Sequence, residues 1–409
     1  TSGCLYGGDR CGITHHADST GVWGLFLRDD DGDGLPDTLL KLDLASGDVL
    51  AARSLSSPPG ISGVEWRFPR AVQVGSLLRI LQLSSLGVAR VMDADLNLKN
   101  NPYLQGSLGA AMASFAGPGK GAAILQQGAA AGRALRLVHD LDSASTVPIP
   151  LGAAAEPLPG ALLGLLDRDG GGAEYPLITR RAGESMVVEA YKSGGDEPLW
   201  QWALPAETSV ARVALARLDA SPGEELVLHL RNAQGSGLNS MTALSGGDGA
   251  VLWSTAGQIP FPTRPILGLD LDGDGRDELV TGAHGSSLAI FSPEDGALLW
   301  DSDESLGFDT HNVSAITGAT LSGGGPGIVV SSSVRVLGLQ VTGVAPWKVE
   351  LLWHRDAKLP SAPAVLDLDD DGLDDLVYWA GSDGLIALDG ETGAPIWIRR
   401  YKGGDQLPP

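Results

Sequence analysis

The chain is poor in cysteine: of 409 residues only Cys4 and Cys11 carry a thiol, and nothing after them does. Six residues separate the two, enough for a disulfide to close a small loop in an oxidising compartment. A pair of idle, reduced thiols is the alternative at this spacing. Basic residues are scarce as well, with 28 Lys and Arg against 50 Asp and Glu and a formal net charge of −22. Reading a phosphate backbone requires a basic footprint, so nucleic acid is excluded as a partner. No apolar run approaches the roughly 18 residues that a membrane span needs, so no transmembrane segment is expected. No basic segment with an apolar stretch behind it opens the chain, as expected of a secreted protein whose leader has been removed.

Local catalytic signatures are missing too. There is no H-E-x-x-H, no G-x-S-x-G elbow and no P-loop. Of seven histidines only His15 and His16 are adjacent, and that pair reads as exposed polar surface. No enzyme is read from these residues. A carbohydrate-active site, lyase or hydrolase, assembled from carboxylates on distant segments would leave no local motif and stands as the alternative.

What is abundant is turn formers and apolar residues. Gly and Pro make up 82 of 409 positions, which excludes an all-helical protein, and 43% hydrophobic content is ample for a core. The apolar segments recur. Residues 270–300 and 367–397 align without a gap over 31 positions, 14 of them identical, at an offset of 97. A degenerate copy lies between them, running from Gly318 to Trp353. Further copies end at Trp253 and Trp200, and weaker ones reach back to a first unit, 25–50, that lacks one strand. Anchors near Trp23, Ala71, Ala111, Leu163, Val213, Ile266, Thr317 and Ala364 are mostly 47 to 53 residues apart.

Each good unit holds four short β-type segments, for example Ile266–Leu269, Glu278–Gly282, Leu288–Phe291 and Ala297–Trp300. Four strands at a period near 50 predict an all-β chain, a β-propeller of about eight, alternatively seven, four-stranded blades. The boundaries expected are an N-terminal segment over 1–20, a single propeller over 21–403 and a tail over 404–409. Trp200, Trp253, Trp300, Trp353 and Trp397, which end successive units, are expected to pack between blades. The segment Ile398–Tyr401 is expected to supply the strand missing from the first unit.

Three acidic loops carry the chemistry: 29–37, 270–278 and 367–375. They hold 16 of the 50 acidic residues in 27 positions. Each offers oxygens at relative positions 1, 3 and 5, a backbone carbonyl at 7 and a carboxylate at 9. Calcium takes six to eight hard oxygen ligands, and so many carboxylates without a cation would repel one another strongly. Gly34, Gly275 and Gly372 follow the third acid, where a tight turn favours positive φ. The acid at position 12 of an EF-hand is absent, those residues being Leu40, Thr281 and Tyr378. Asp167 to Gly172 keeps only two acids, and Asp219 to Glu225, two residues short, reads as a plain turn.

Strand, Asp-x-Asp-x-Asp-Gly loop and strand at this period resemble the FG-GAP/VCBS repeats of integrin α-subunit propellers and secreted bacterial proteins. The resemblance is specific in three units and faint in the others. It implies about three Ca²⁺ ions. Their ligands would be Asp29, Asp31, Asp33, the Leu35 carbonyl and Asp37; Asp270, Asp272, Asp274, the Arg276 carbonyl and Glu278; and Asp367, Asp369, Asp371, the Leu373 carbonyl and Asp375. The segments LIALDGETGAPIW and LAIFSPEDGALLW also resemble the repeat of eight-bladed quinoprotein-type propellers, including outer-membrane assembly scaffolds. The vicinal cysteine pair that covers the cofactor in quinoprotein dehydrogenases is missing, so no quinone is expected. Thr1-Ser2-Gly3-Cys4 resembles the end of a bacterial lipoprotein signal, in which Cys4 would carry lipid instead of a disulfide.

Up-and-down topology would put the acidic loops on the face that also carries the 294–295 and 391–392 turns. The opposite face would present Trp202, Phe261, Phe308, His311 and His354 to a protein or glycan ligand. The reading is a secreted or cell-surface, or bacterial envelope, calcium-binding adhesion or interaction module. A structural subunit of an extracellular or envelope assembly is a further alternative.

Overall fold

A computed structural model describes residues 14–18, 21–28, 38–55, 70–74, 77–83, 89–100, 107–114, 120–128, 132–140, 145–150, 161–171, 174–192, 197–232, 239–256, 265–282, 288–302, 313–358, 360–380 and 384–400. Cys4 and Cys11 lie outside these residues, as do Phe261, Phe308 and His311. The described strands form eight four-stranded antiparallel sheets, each an uninterrupted up-and-down meander. They are the blades of a β-propeller. In chain order the sheets span Thr14–Ser54, Arg70–Asn100, Ser107–Pro150, Ala161–Ala203, Thr208–Ala256, Ile266–Asp301, Ala315–Asp356 and Ala364–Arg399.

The chain divides into two compact units. One comprises 1–62, 264–293 and 297–409, with the first, sixth, seventh and eighth sheets; the other comprises 63–263 and 294–296, with the second to fifth. Within each unit, sheets pack face to face. A strand in the middle of a sheet is therefore covered on both sides, and its sequence reads as a continuous apolar run rather than an alternation. Leu226, Val227, Leu228 and Leu230 in the fifth sheet are all buried, as are Leu279 and Val280 in the sixth. Fourth strands are covered on one side only, and Val49–Ser54 accordingly alternates half-buried with exposed residues.

The first sheet corrects two expectations. Its missing strand is Thr14–Asp18, which pairs with Gly21–Arg28, so the sheet begins inside the segment assigned to 1–20. His15 and His16 belong to this strand. Its sequence, THHAD, carries no apolar alternation, which is why it does not read as a strand. Ile398 pairs with Ile386 as part of the eighth sheet's own fourth strand and is not lent to the first sheet.

The expected role of the terminal tryptophans is observed. Trp353 of the seventh sheet donates its Nε1–H to the Gly390 carbonyl of the eighth at 2.8 Å. Trp200 of the fourth does the same to Gly246 of the fifth at 2.9 Å. Trp397 of the eighth reaches the Leu44 carbonyl of the first at 3.2 Å. The eighth sheet thus joins the first by the same contact that joins neighbours in sequence. An arginine two residues after the tryptophan adds a bond in two cases: Arg355 Nε to the Gly393 carbonyl at 2.5 Å, and the Arg399 guanidinium to Ser46 at 2.7 Å.

The receiving turn needs glycine. Gly393 has φ +65°, and a Cβ there would lie 2.6 Å from the Trp353 ring. Gly393→Ala is expected to destabilise the protein by about 2–4 kcal/mol, combining overpacking with a left-handed non-glycine residue. Gly183 has a similar φ of +63°, but nothing lies within 4 Å of its would-be Cβ. Gly183→Ala should cost only about 1 kcal/mol, the backbone share alone. Equal losses for the two variants in denaturant melts would refute the steric account of the latch.

Candidate metal centre

In the sixth sheet the loop 270–277 bridges Leu269 and Glu278, the last ladder pair of the first two strands. In the eighth, 367–374 bridges Leu366 and Asp375 in the same way. Two residues in each loop have positive φ: Gly273 and Gly275 in the sixth, Asp370 and Gly372 in the eighth. The chain therefore curls back on itself, and carboxylates at positions 1, 3 and 9 converge. Asp270, Asp272 and Glu278 place one oxygen each within 4.8 Å of the others, and so do Asp367, Asp369 and Asp375.

The position-9 acid is the buried member of each set, with Glu278 2% and Asp375 3% exposed. Glu278 Oε2 accepts the Leu271 N–H at 2.8 Å, and Asp375 accepts from Leu368 and Gly390 at 2.9 and 3.0 Å. Burial nevertheless dominates. It pushes Glu278 up to about 7, with the charges of Asp272 and Asp274 adding to the shift, and Asp375 up to about 6. Each loop thus holds a desolvated carboxylate facing two more acids, an arrangement that favours a cation.

Position 5 departs from the expected ligand set. Asp274 Oδ1 accepts the Arg276 N–H at 2.8 Å, while Oδ2 is held by the Arg276 guanidinium, which keeps this carboxyl below its ordinary range. Asp371 likewise folds back to accept the Leu373 N–H at 2.8 Å. Neither joins the three-carboxylate cluster. Residues 7, Arg276 and Leu373, therefore act here through their N–H groups.

The first acidic loop, with Asp29, Asp31, Asp33, Leu35 and Asp37, lies outside the described residues. Its flanking residues are described: Arg28 pairs with Thr38, at the end of the first sheet opposite the 43–48 turn. In the eighth sheet the acidic loop shares an end with the corresponding 389–394 turn, since Gly390 donates to Asp375. The face expected for the first loop lies outside the described residues.

The fifth sheet corrects a second expectation. Ala216 pairs with Glu225, so 217–224 is a loop of the same length as its counterparts and not two residues short. Glu225 occupies position 9: it is buried, accepts the Leu218 N–H at 2.8 Å and is pushed upward by desolvation. Position 1 is Arg217, position 5 is Ser221, whose hydroxyl bonds to Glu225 at 3.0 Å, and position 6 is Pro222.

Position 8 carries a role that ligand spacing does not announce. Glu224 N–H donates to the Asp167 carbonyl at 2.8 Å, and Asp167 N–H returns a bond to the Glu224 carboxylate at 2.9 Å. Asp374 and Thr320 of the preceding sheet repeat this reciprocal clip at 2.8 and 2.6 Å. The signal is the adjacent acid pair, Glu224-Glu225 and Asp374-Asp375.

The fourth sheet holds an internal ion pair. Glu189, fully buried, takes two bonds from Arg180 at 2.7 Å and one from the Tyr191 hydroxyl at 2.8 Å. On the fourth strands, Trp202 is half-buried against the core of the fourth and fifth sheets, and His354 is exposed.

No curated protein matches the sequence. Among solved structures, the dihydro-heme d1 dehydrogenase NirN in complex with DHE is similar over 96% of this chain and 77% of its own, at 13% identity and a TM-score of 0.60. The Dos1 propeller is similar over 93% and 92%, at 11% identity and 0.55. Sqt1 of Saccharomyces cerevisiae is similar over 80% and 83%, at 12% identity and 0.53. At such identities the likeness is one of fold. Residues 182–399, a little over half the chain, match the family model described as outer membrane protein assembly factor BamB. The expected quinoprotein-type repeat and its assembly-scaffold variant fit that match, and the chain belongs to the BamB family.

Proposed function

We propose that this protein is a calcium-stabilised binding propeller of the bacterial envelope or cell exterior, working as an interaction module and not as an enzyme. Membership of an assembly-factor family supports the interaction role and the envelope setting. Among the described residues no helix is long and apolar enough to cross a membrane. The observation that carries the calcium reading is the pair of buried acids, Glu278 and Asp375, each within 4.8 Å of two further carboxylates. The ligands would be Asp270, Asp272 and Glu278 in one loop and Asp367, Asp369 and Asp375 in the other, completed by backbone carbonyls and water. The loop 29–37 would hold a third ion. These are FG-GAP/VCBS-type loops on a BamB-family frame. The partner would be a protein, engaged away from the two described acidic loops. Partner and glycan screens on the calcium-loaded protein should return a protein, and a glycan as sole ligand would overturn that part.

Chelation should lower the melting temperature. Each site would contribute about 2.7 kcal/mol at a calcium concentration one hundred times its dissociation constant. An unchanged melting temperature in chelator would sink the calcium reading.

The pH dependence has a definite sign. Glu278 rises from an unfolded value of 4.5 to about 7 in the ion-free fold. Its protonated form therefore supports folding fully below 4.5, and that support is lost as pH rises through 7. Calcium takes the proton's place above this range, so the calcium-induced gain in melting temperature should grow between pH 5 and 8. Glu225 is also raised but stands in no carboxylate cluster. Glu225→Gln should raise the melting temperature at pH 8 equally with and without calcium, and a calcium-dependent effect would contradict its assignment as a metal-free acid.

A further inference from the structure

The seventh sheet ends in a hairpin that its neighbours lack. Its third and fourth strands, Arg335–Val344 and Trp347–Asp356, have ten residues each, against four or five in the sixth and eighth sheets. In the first, second, fourth, fifth, sixth and eighth sheets the ladder between these strands ends one pair past a bulge. In the seventh, Leu339 pairs with Leu351 past the bulge, and four further pairs follow: Gln340 with Glu350, Val341 with Val349, Gly343 with Lys348 and Val344 with Trp347. The second strand stops at the level of Gln340, so the hairpin runs on beyond the rest of its sheet.

The outer strand of this hairpin has a regular edge. The extra residue at the hairpin's own irregularity, Thr342, lies on the third strand, which leaves Trp347–Leu351 without a bulge. That stretch belongs to the last strand of its sheet, and no strand pairs with its outer side among the described residues. One face of it is anchored: Val349 is buried with Val341, and Trp347 and Leu351 pack against the same core. On the other face Lys348 and Glu350, 66% and 49% exposed, form an ion pair with each other.

The sequence of this edge, W-K-V-E-L, is complementary to itself. Laid antiparallel on a second copy about a two-fold axis at Val349, Lys348 stands opposite Glu350 of the second copy, and Glu350 opposite its Lys348. Trp347 and Leu351 likewise face each other across the seam. A slip of two residues either way would set lysine against lysine or glutamate against glutamate, which is destabilising. A slip of one would turn the apolar side outward. Charges on an edge ordinarily keep other strands off; here they reject the neighbouring registers and accept this one.

We infer that the seventh-sheet hairpin is a self-association edge, through which two copies of the chain join Trp347–Leu351 to Trp347–Leu351 in an isologous antiparallel contact. Five residues a side make a small interface, so the dimer is weak and depends on concentration. The net charge of −22 on each copy opposes it at low salt. The inference stands apart from the calcium reading.

Sedimentation velocity on the full chain, from about 5 µM to about 500 µM in about 0.15 M salt, tests it. The sedimentation coefficient should rise from monomer towards dimer over this range. Lys348→Glu and Glu350→Lys each place like charges opposite one another twice and should weaken the dimer about tenfold or more. Both side chains are exposed, so thermal melts should show the two variants folded as the wild type. An equimolar mixture of the two variants restores opposite charges across the seam and should dimerise again. The ion pair within the hairpin is lost in both variants, so this recovery cannot come from it. A chain that stays monomeric throughout would overturn the inference, and so would a dimer that both variants leave unchanged or a mixture that fails to recover.

Discussion

Neighbouring sheets from the fourth onward share one contact, seen at Trp200, Trp353 and Trp397, in which a tryptophan is laid on bare backbone. An indole of this kind removes on the order of 150–250 Å² from water and still needs a partner for its N–H. The next sheet's turn supplies both: a glycine with no side chain under the ring, and a carbonyl for Nε1. The tryptophan is aimed by a bulge. Ala387 pairs with Trp397 and Leu388 with Pro395, so Ile396 is left over. The same shift leaves over Leu199 before Trp200 and Leu252 before Trp253. One extra residue rotates the strand so that the indole enters the seam, and its predecessor must then point outward. This accounts for exposed Leu199, Leu252 and Ile396. The irregular edge also offers a poor template for another strand.

That contact is also what made the fold readable. Gly-Ala shortly before a tryptophan, as before Trp253, Trp300 and Trp397, marks the seam in the later blades, and the strands fall between such marks. The reading failed where a strand owed its place to pairing alone. Thr14–Asp18 has one β-branched residue and no alternation to announce a strand, and the sheet accepts it because Gly21–Arg28 offers an open ladder.

The candidate site was legible in outline, at positions 1, 3 and 9, and misread at two places for a common reason. Spacing counts residues, but burial decides which acid anchors the loop. Aligning the fifth sheet's loop on its first aspartate made it look two residues short. Aligning it on the buried acid paired with the strand before it restores full length and puts Arg217 where Asp270 and Asp367 stand. At position 5, the nearer competitor for Asp274 and Asp371 is an amide two residues on, a contact that alternation alone does not foresee.

The acid excess divides along the same lines. Acids at positions 1 and 5 brace the loop's own amides, those at 1 and 3 also converge on the acid at 9, and that acid sits under the loop with its charge desolvated. The acid at 8 reaches the neighbouring sheet: Asp374 exchanges two hydrogen bonds with Thr320. Positions 8 and 9 are adjacent, so in a strand they point to opposite sides. One therefore serves the loop while the other serves the seam, and an ion that tightens the first cannot leave the second untouched. The acids that look redundant in the composition are the mechanical link between candidate metal loop and sheet packing.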